Sequence, residues 1–189
     1  YPELINEDRK EILVLEKLQL EIQNQKILDI DHFAVNKGDL IIIVGEVGSG
    51  KSMLLYSLLG ETNCRWQKYQ IFSKLKNQWR DLFSYVPQEG FIVSTNLRDN
   101  IYLEYDTPKS NDPKVLSSLY RSEFKKDLES LDNHLDTEFG ERGVNLSGGQ
   151  RQRINIARAD FSDSEILLLD DSFSAIDVET ETKLINNLL

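Results

Sequence analysis

The sequence is poor in cysteine, methionine, histidine and proline: its 189 residues include one Cys, one Met, two His and four Pro. The single cysteine, Cys64, excludes an internal disulfide and fits a reducing compartment. Its expected role is that of a small apolar filler. Positive charge is also in deficit. Lys and Arg number 22 against 32 Asp and Glu, a formal net charge of −10. That speaks against a general binder of nucleic acid or anionic membrane, which needs a basic footprint. No long hydrophobic run is present. Leu40–Val44 and Ile166–Leu169 fall far short of the roughly 20 residues that span a bilayer. Internal repeats, low-complexity tracts and an amino-terminal signal pattern are absent, and residue 1 is Tyr rather than Met. A segment of a longer chain is expected on that ground. What is present, 40% apolar and 29% charged residues, is enough to build one folded domain with a real core.

Hydrophobic patterning orders the chain. Ile12–Leu15, Leu18 and Leu20 predict a partly alternating strand, followed by a turn at Gln23–Gln25 and a second strand over Lys26–Val35. Lys37-Gly38-Asp39 is a turn signal. Leu40–Val44 is a continuous β-branched run, which predicts a strand buried on both faces. A glycine-rich loop and a helix over Lys51–Leu59 come next. Basic and aromatic residues interleave from Arg65 to Arg80, and a solvated hairpin with aromatics packed beneath it is the simplest expectation. A nucleotide or partner-domain contact is the alternative. Phe83–Val86 predicts a short strand. Leu97–Asp160 is mostly helical, with breaks expected at Pro108 and Pro113. Ile166–Leu169 predicts a buried strand and Val178–Leu189 a helix. The acidic stretch Glu123–Asp136 is expected to be a solvated helical face. Parallel strands joined by helices, with a helical insert, make an α/β layered fold.

Three motifs carry chemistry. Gly45-Glu46-Val47-Gly48-Ser49-Gly50-Lys51-Ser52 fits the phosphate-loop pattern in full. Its glycines let backbone N–H groups approach phosphate oxygens, and the helix that follows presents its positive end. Lys51 is placed to meet the β- and γ-phosphates, and the Ser52 hydroxyl to ligate Mg²⁺. Ile166–Leu169 ends in Asp170 and Asp171, so an apolar strand delivers carboxylates to the end where ligands of α/β sheets collect. Asp170 would hold Mg²⁺ through water, and Asp171 would stand beside an attacking water. Taken alone, that pair is better read as an acidic strand end capping the next helix, and only beside the phosphate loop does the metal-site reading prevail. Leu146-Ser147-Gly148-Gly149-Gln150 begins a helical run, and a Ser-Gly-Gly helix start is itself an anion site as well as an ordinary cap. Two phosphate-gripping sites on one small domain exceed what one γ-phosphate needs.

In this order, the phosphate loop, Leu146–Gln150 and Ile166–Asp171 resemble the nucleotide-binding domain of ATP-binding cassette (ABC) transporters, from about Leu13 onward. The resemblance implies a P-loop NTPase core with a parallel sheet, an N-terminal antiparallel β part and a helical subdomain. Residues 1–96 and 161–189 would form the ATP-binding core and residues 97–160 the helical signature subdomain. It implies ATP and Mg²⁺ as cofactors, with Ser52, Gln88 and Asp170 as metal ligands and Asp171 and Gln88 at the reacting end. It also implies head-to-tail pairing with a second nucleotide-binding domain, so that Leu146–Gln150 meets the partner's ATP. Gln88 matches the family's Q-loop glutamine, and Ser174-Ala175-Ile176-Asp177 its D-loop. Transmembrane domains of the same parent chain would be the driven part, and the site of action the cytosolic face of a membrane, with this segment itself soluble. Phe91–Ile101 is typical of exporter cassettes. Gly140–Asn145 is similar to subfamily C, the multidrug-resistance-protein and cystic-fibrosis-channel group, and the Asp171 substitution to its first nucleotide-binding domain.

The chain departs from the family pattern in places. Ile22 occupies the position of the adenine-stacking aromatic, which leaves apolar contact without stacking. Asp171 replaces a Glu and is one methylene shorter, and a positioned base is worth about 10²–10⁴-fold in rate. The switch histidine would lie on a strand after Asp177. His32 and His134 both precede Asp170 and are expected to be a core-edge or turn residue and a solvated residue respectively. An ATPase that is weak or inactive in isolation is therefore expected. The alternatives are a regulatory ATP-binding module with little or no hydrolysis, and a soluble ABC ATPase.

Overall fold

The computed structural model describes residues 1–140 and 145–188. Its chain forms two compact units, Tyr1–Phe83 and Ser84–Leu189. In the first, strands β1 (Glu3–Ile5), β2 (Glu11–Ile22), β3 (Gln25–Asn36) and β4 (Lys68–Phe72) make one sheet in the order β1-β4-β2-β3. β2 runs antiparallel to both β3 and β4, and β1 parallel to β4. The part-alternation of β2 follows from this order. β4 flanks only Leu13–Glu16, and Ile12 to Leu15 are all buried. Beyond that point Leu18 and Leu20 are buried and Gln19 is exposed, the period-two pattern of a one-sided strand. Gln23 and Asn24 both adopt positive φ, the two-residue hairpin turn that matches strand twist.

The Leu40–Val44 expectation does not hold. No strand forms there, and the five residues are exposed, Ile42 at 75% and Val44 at 84%. β-branched residues supply propensity, but a strand exists only through a ladder with a partner, and propensity alone does not provide one. Helix α1 (Lys51–Leu58) follows. The basic and aromatic stretch is more than a solvated hairpin, because it supplies β4, whose Tyr69, Ile71 and Phe72 are buried in the sheet. The Tyr69 hydroxyl donates to Leu58 O at 2.6 Å, tying β4 to the end of α1. Trp66 meets Tyr69 edge-on at 5.6 Å, and Arg80 lies over Trp79. Cys64 is free and half-buried.

In the second unit, β5 (Phe83–Val86) and β6 (Ile166–Leu169) form a two-stranded sheet. The Asp170 N–H donates to Val86 O at 3.0 Å, so the two strands finish side by side. Around them stand α2 (Leu97–Tyr102), α3 (Asp112–Arg121), α4 (Lys125–Glu129), α5 (Gly148–Phe161) and α6 (Val178–Leu188). Pro113 does not break a helix. It sits in the first turn of α3, where its missing N–H has no intrahelical role. α5 is buried on two sides. Ile154 and Ala157 join Leu97, Ile101, Leu119 and Phe124 in one core cluster, while Ile156 and Ala159 join Val86 and Leu184 in another. The buried Arg98 guanidinium donates to Asp112 and Asp136, joining α2 to the start of α3 and to the turn at His134–Asp136. Within the acidic stretch, Asp136 pairs with Arg98 and Asp127 with Arg153, while Glu129, Asp132 and Asp136 remain exposed, as a solvated face requires. His32 lies exposed on β3 and His134 is also exposed.

Candidate functional site

The glycine loop carries its own signs of a phosphate cradle. Gly48 and Gly50 take φ 81° and 93°, which a side chain resists. A Cβ on Gly50 would lie 3.2 Å from Ile27 and Leu28 on β3, so glycine is needed for space as well. Lys51 folds back, its Nζ donating to Gly45 O at 2.9 Å and Glu46 O at 2.8 Å. The ammonium thus sits inside the loop it closes. Val47 is fully exposed and Ser49 N–H donates to Glu46 O at 3.2 Å, so the loop is a tight turn facing outward. Ser52 lies in the first turn of α1, a helix of 8 residues. Backbone donors, a lysine and a helix N-terminus fit a polyphosphate chemically. Ile22 is the last residue of β2, 43% exposed beside the hairpin turn, and offers apolar contact only.

In the second unit, Asp170 and Asp171 leave the end of β6 in different settings. Asp170 is buried at 9% and accepts a hydrogen bond from the Tyr85 hydroxyl at 3.0 Å. Asp171 is exposed, with φ 48°, and its Oδ2 accepts from the Gln88 side-chain amide at 3.1 Å. The structure therefore brings together Gln88 and Asp171, which are 83 residues apart in sequence.

Ser147 caps α5 with a capping box. Its hydroxyl accepts from Gln150 N–H at 3.1 Å, and Gln150 Oε1 accepts from Ser147 N–H at 2.8 Å. Leu146 is buried in the helical core and anchors this start. Gly148 and Gly149 sit where the D-loop backbone crosses: a Cβ on Gly149 would lie 3.0 Å from Ala175 O. The D-loop turns tightly, with Ser174 N–H and Oγ both donating to Asp171 O and Ile176 N–H to Phe173 O. Asp177 then accepts from Thr180 N–H at 3.0 Å at the start of α6, and that bond lowers its pKa below the usual carboxylate value. The segment similar to subfamily C lies largely at Glu141–Val144, outside the described residues.

A family model described as "ABC transporter" matches residues 28–174. The chain is 39% identical over 161 residues to a probable multidrug resistance ABC transporter ATP-binding/permease protein of Bacillus subtilis, which covers 82% of this chain and 27% of that protein. It is 41% identical over 158 residues to ABC transporter C family member 6 of Arabidopsis thaliana, covering 84% and 10%. Against ABC transporter C family member 7 of Dictyostelium discoideum the identity is 36% over 187 residues, covering 99% and 12%. A bacterial Atm1-family ABC exporter solved with ATP bound has a TM-score of 0.82 at 25% identity, covering 99% of this chain and 33% of that one. The chain belongs to the ABC transporter family. It has the fold of the family's ATP-binding domain, and nucleotide binding goes with that domain. The chain spans 27% or less of the length of these curated relatives.

Within the second unit, some residues that hold the candidate side chains carry no sequence signal of their own. Tyr85 orients Asp170. Asp127 on α4 accepts from Gln150 Nε2 at 2.9 Å and Arg153 Nη2 at 2.7 Å, bracing the start of α5. Among the described residues, no cluster of His, Cys, Asp and Glu forms a metal cage, and no helix is long and apolar enough to cross a membrane.

Proposed function

We propose that this chain is the first nucleotide-binding domain of a subfamily C-like transporter, binding Mg·ATP and pairing head to tail with a second such domain. The observation that supports the reading is a pair of separate glycine-bearing helix starts, the loop that Lys51 closes onto Gly45 O and Glu46 O and the capped Gly148–Gly149 start of α5. In this reading Gly45–Ser52 bind the phosphates of one ATP. Leu146–Gln150 bind the ATP of the partner domain, with Ser174–Asp177 at the same interface. Ser52, Gln88 and Asp170 would hold Mg²⁺, which would supply neutralisation of phosphate charge. Asp171 positions the attacking water, with Gln88 holding its carboxylate. Residues 97–160 act as the signature subdomain and the remainder as the ATP core. Closure of the pair would drive transmembrane segments, with this domain at the cytosolic face of a membrane.

A second reading, an ATP-binding module that closes but scarcely hydrolyses, is favoured by a specific contact: the shorter Asp171 carboxylate is engaged by Gln88. The testing experiment is a calorimetric titration of this chain and of Lys51→Ala with Mg·ATP. Saturable binding that is lost in the variant supports the assignment, and unchanged affinity overturns it. Phosphate release by the two-domain assembly, compared with Asp171→Glu, separates the two readings.

A further inference from the structure

The segment from Pro87 to Asn96 carries Gln88 and Phe91, yet it forms no helix or ladder beyond a single bridge between Asn96 and Glu138. Side chains hold its backbone instead. From α5, Gln152 Nε2 donates to Pro87 O at 3.0 Å, and Asn155 Nδ2 to Phe91 O at 3.2 Å. Arg158 Nη1 donates to Phe91 O at 3.3 Å and to Asn155 Oδ1 at 2.8 Å, and its guanidinium lies 4.3 Å from the Phe91 ring centroid. From α2, Asn100 Oδ1 accepts from Val93 N–H at 2.9 Å while its Nδ2 donates to Val93 O at 3.0 Å. Arg158 Nε donates to Asn100 O at 2.7 Å, which links the two sets.

Gln152, Asn155 and Arg158 recur every three residues and share one side of α5. All are buried, at 3%, 3% and 9%. The loop lies directly against them: a Cβ on Gly90 would collide with Asn155 Nδ2 and sit 3.0 Å from Gln152 Oε1. Burying three polar side chains, one of them a cation, is costly unless each is satisfied, and apolar residues would fill the same helix side more cheaply. Arg158 faces neutral oxygens and a ring, and burial pushes its pKa down to about 10, which still leaves it charged at neutral pH. Such satisfied polar networks specify one arrangement rather than add bulk stability. Here the arrangement specified is that of the loop bearing Gln88. The same 14-residue helix begins at Ser147-Gly148-Gly149. One helix therefore carries the capped glycine start and, one to three turns along, the clamp on the Gln88 loop.

We infer that Gln152, Asn155 and Arg158 are positioning residues that set Gln88 against Asp171 and couple it to the glycine start of α5. The functional half of this inference rests on the reading of Gln88 and of Leu146–Gln150 under the proposed function. The test uses near-isosteric variants. Asn155→Asp keeps an acceptor for Arg158 but cannot donate to Phe91 O, and Gln152→Glu cannot donate to Pro87 O. Without nucleotide, the Gln88 side-chain amide is followed by NMR, and exchange at the Val93 amide by hydrogen–deuterium exchange. Expected is a displaced or broadened Gln88 amide signal and Val93 exchange faster by about tenfold or more, in a chain whose global unfolding transition remains cooperative. An unmoved Gln88 signal with unchanged exchange in both folded variants overturns the clamp. If either carboxylate variant fails to fold, Arg158→Lys, which keeps the charge and loses the fork, is read by the same two signals.

These measurements need no ATP, so they judge the clamp separately from the Lys51→Ala titration. With nucleotide, the ratio of ATP affinity with and without Mg²⁺ should fall both in Asn155→Asp and in Gln88→Ala, with Mg²⁺-free affinity unchanged. An equal loss in both conditions overturns positioning in favour of a purely structural role.

Discussion

The Gln88 side-chain amide donates to Asp171 Oδ2 at 3.1 Å, and Asp171 holds that position from a left-handed backbone at φ 48°. The two facts constrain substitution differently. Asp and Asn tolerate that backbone region better than most residues, so Asp171→Asn should leave the turn and the Mg·ATP affinity intact while removing the carboxylate. Asp171→Glu restores the missing methylene at a backbone cost of about 1 kcal/mol. If the short carboxylate limits hydrolysis, Glu should raise phosphate release by the two-domain assembly, toward the roughly 10²–10⁴-fold worth of a well-placed base, and Asn should lower it. Phosphate release at saturating Mg·ATP, with the urea midpoint measured alongside, checks both. Unchanged release in Asp171→Glu would clear Asp171 as the weak point.

Gly149 sets two effects against each other. Alanine in a helix is better than glycine by up to about 1 kcal/mol. At Gly149, however, the added Cβ meets the Ala175 carbonyl oxygen at 3.0 Å, a backbone atom that cannot swing away. Overpacking of that kind costs about 1–3 kcal/mol, so the clash wins and Gly149→Ala should lower stability by about 1 kcal/mol. At Gly148 the nearest atom is the Ala175 side-chain Cβ at 3.4 Å, an ordinary contact. Gly148→Ala should therefore be neutral or slightly stabilising in the same urea titration. Equal effects at the two positions would mean that the D-loop is free to move off α5.

Much of the candidate site is proposed from the sequence, because its signals are local. Gly45–Ser52 need particular residue types at fixed spacing. Ser147 with Gln150 is a capping box within one helical turn. Ile166–Leu169 is an apolar run ended by carboxylates. What escaped is long-range or depends on partners. Leu40–Val44 has the composition of a buried strand, yet composition does not supply the neighbour that a ladder requires. Asp127 and Asp136 lie in an acidic stretch that looks solvated, and only the fold shows which cations they meet. Gln152, Asn155 and Arg158 resemble the polar side of any surface helix until a loop is seen to cover them.

The start of α5 is braced from α4, and the brace should matter more than the cap. Ser147→Ala removes one capping acceptor, worth about 1 kcal/mol. Asp127→Ala removes the acceptor for both Gln150 Nε2 and the Arg153 guanidinium, with the Asp127 and Arg153 side chains only 19% and 14% exposed. Hydrogen bonds to charged groups are worth about 1.5–3 kcal/mol, and partial exposure places the loss near the lower end. Because Gln150 belongs to both contacts, the double variant should cost less than the sum of the singles. Urea midpoints of the two singles and the double give the coupling directly, and strict additivity would show that Asp127 does not act through Gln150.

Acid should loosen the contact where Asp136 meets Arg98 and Lys109. Hydrogen bonds from those two cations hold the Asp136 carboxyl down at about 2, from an ordinary value of 3.8. A carboxyl whose folded pKa is depressed contributes stability that is complete above its unfolded pKa and is lost as pH falls through the folded one. The contribution should therefore be full above about pH 4 and disappear as the pH falls toward about 2. Asp136→Asn keeps the shape and cannot titrate. Its stability at neutral pH should be lower than that of the unaltered chain, because Arg98 is buried and loses one of its two carboxylate partners, Asp112 remaining. Below pH 4 the two stability curves should converge, other carboxyls contributing equally to both. Urea midpoints measured from pH 7 down to the acid transition check this, and parallel curves that never converge would mean that Asp136 carries no proton-linked stability.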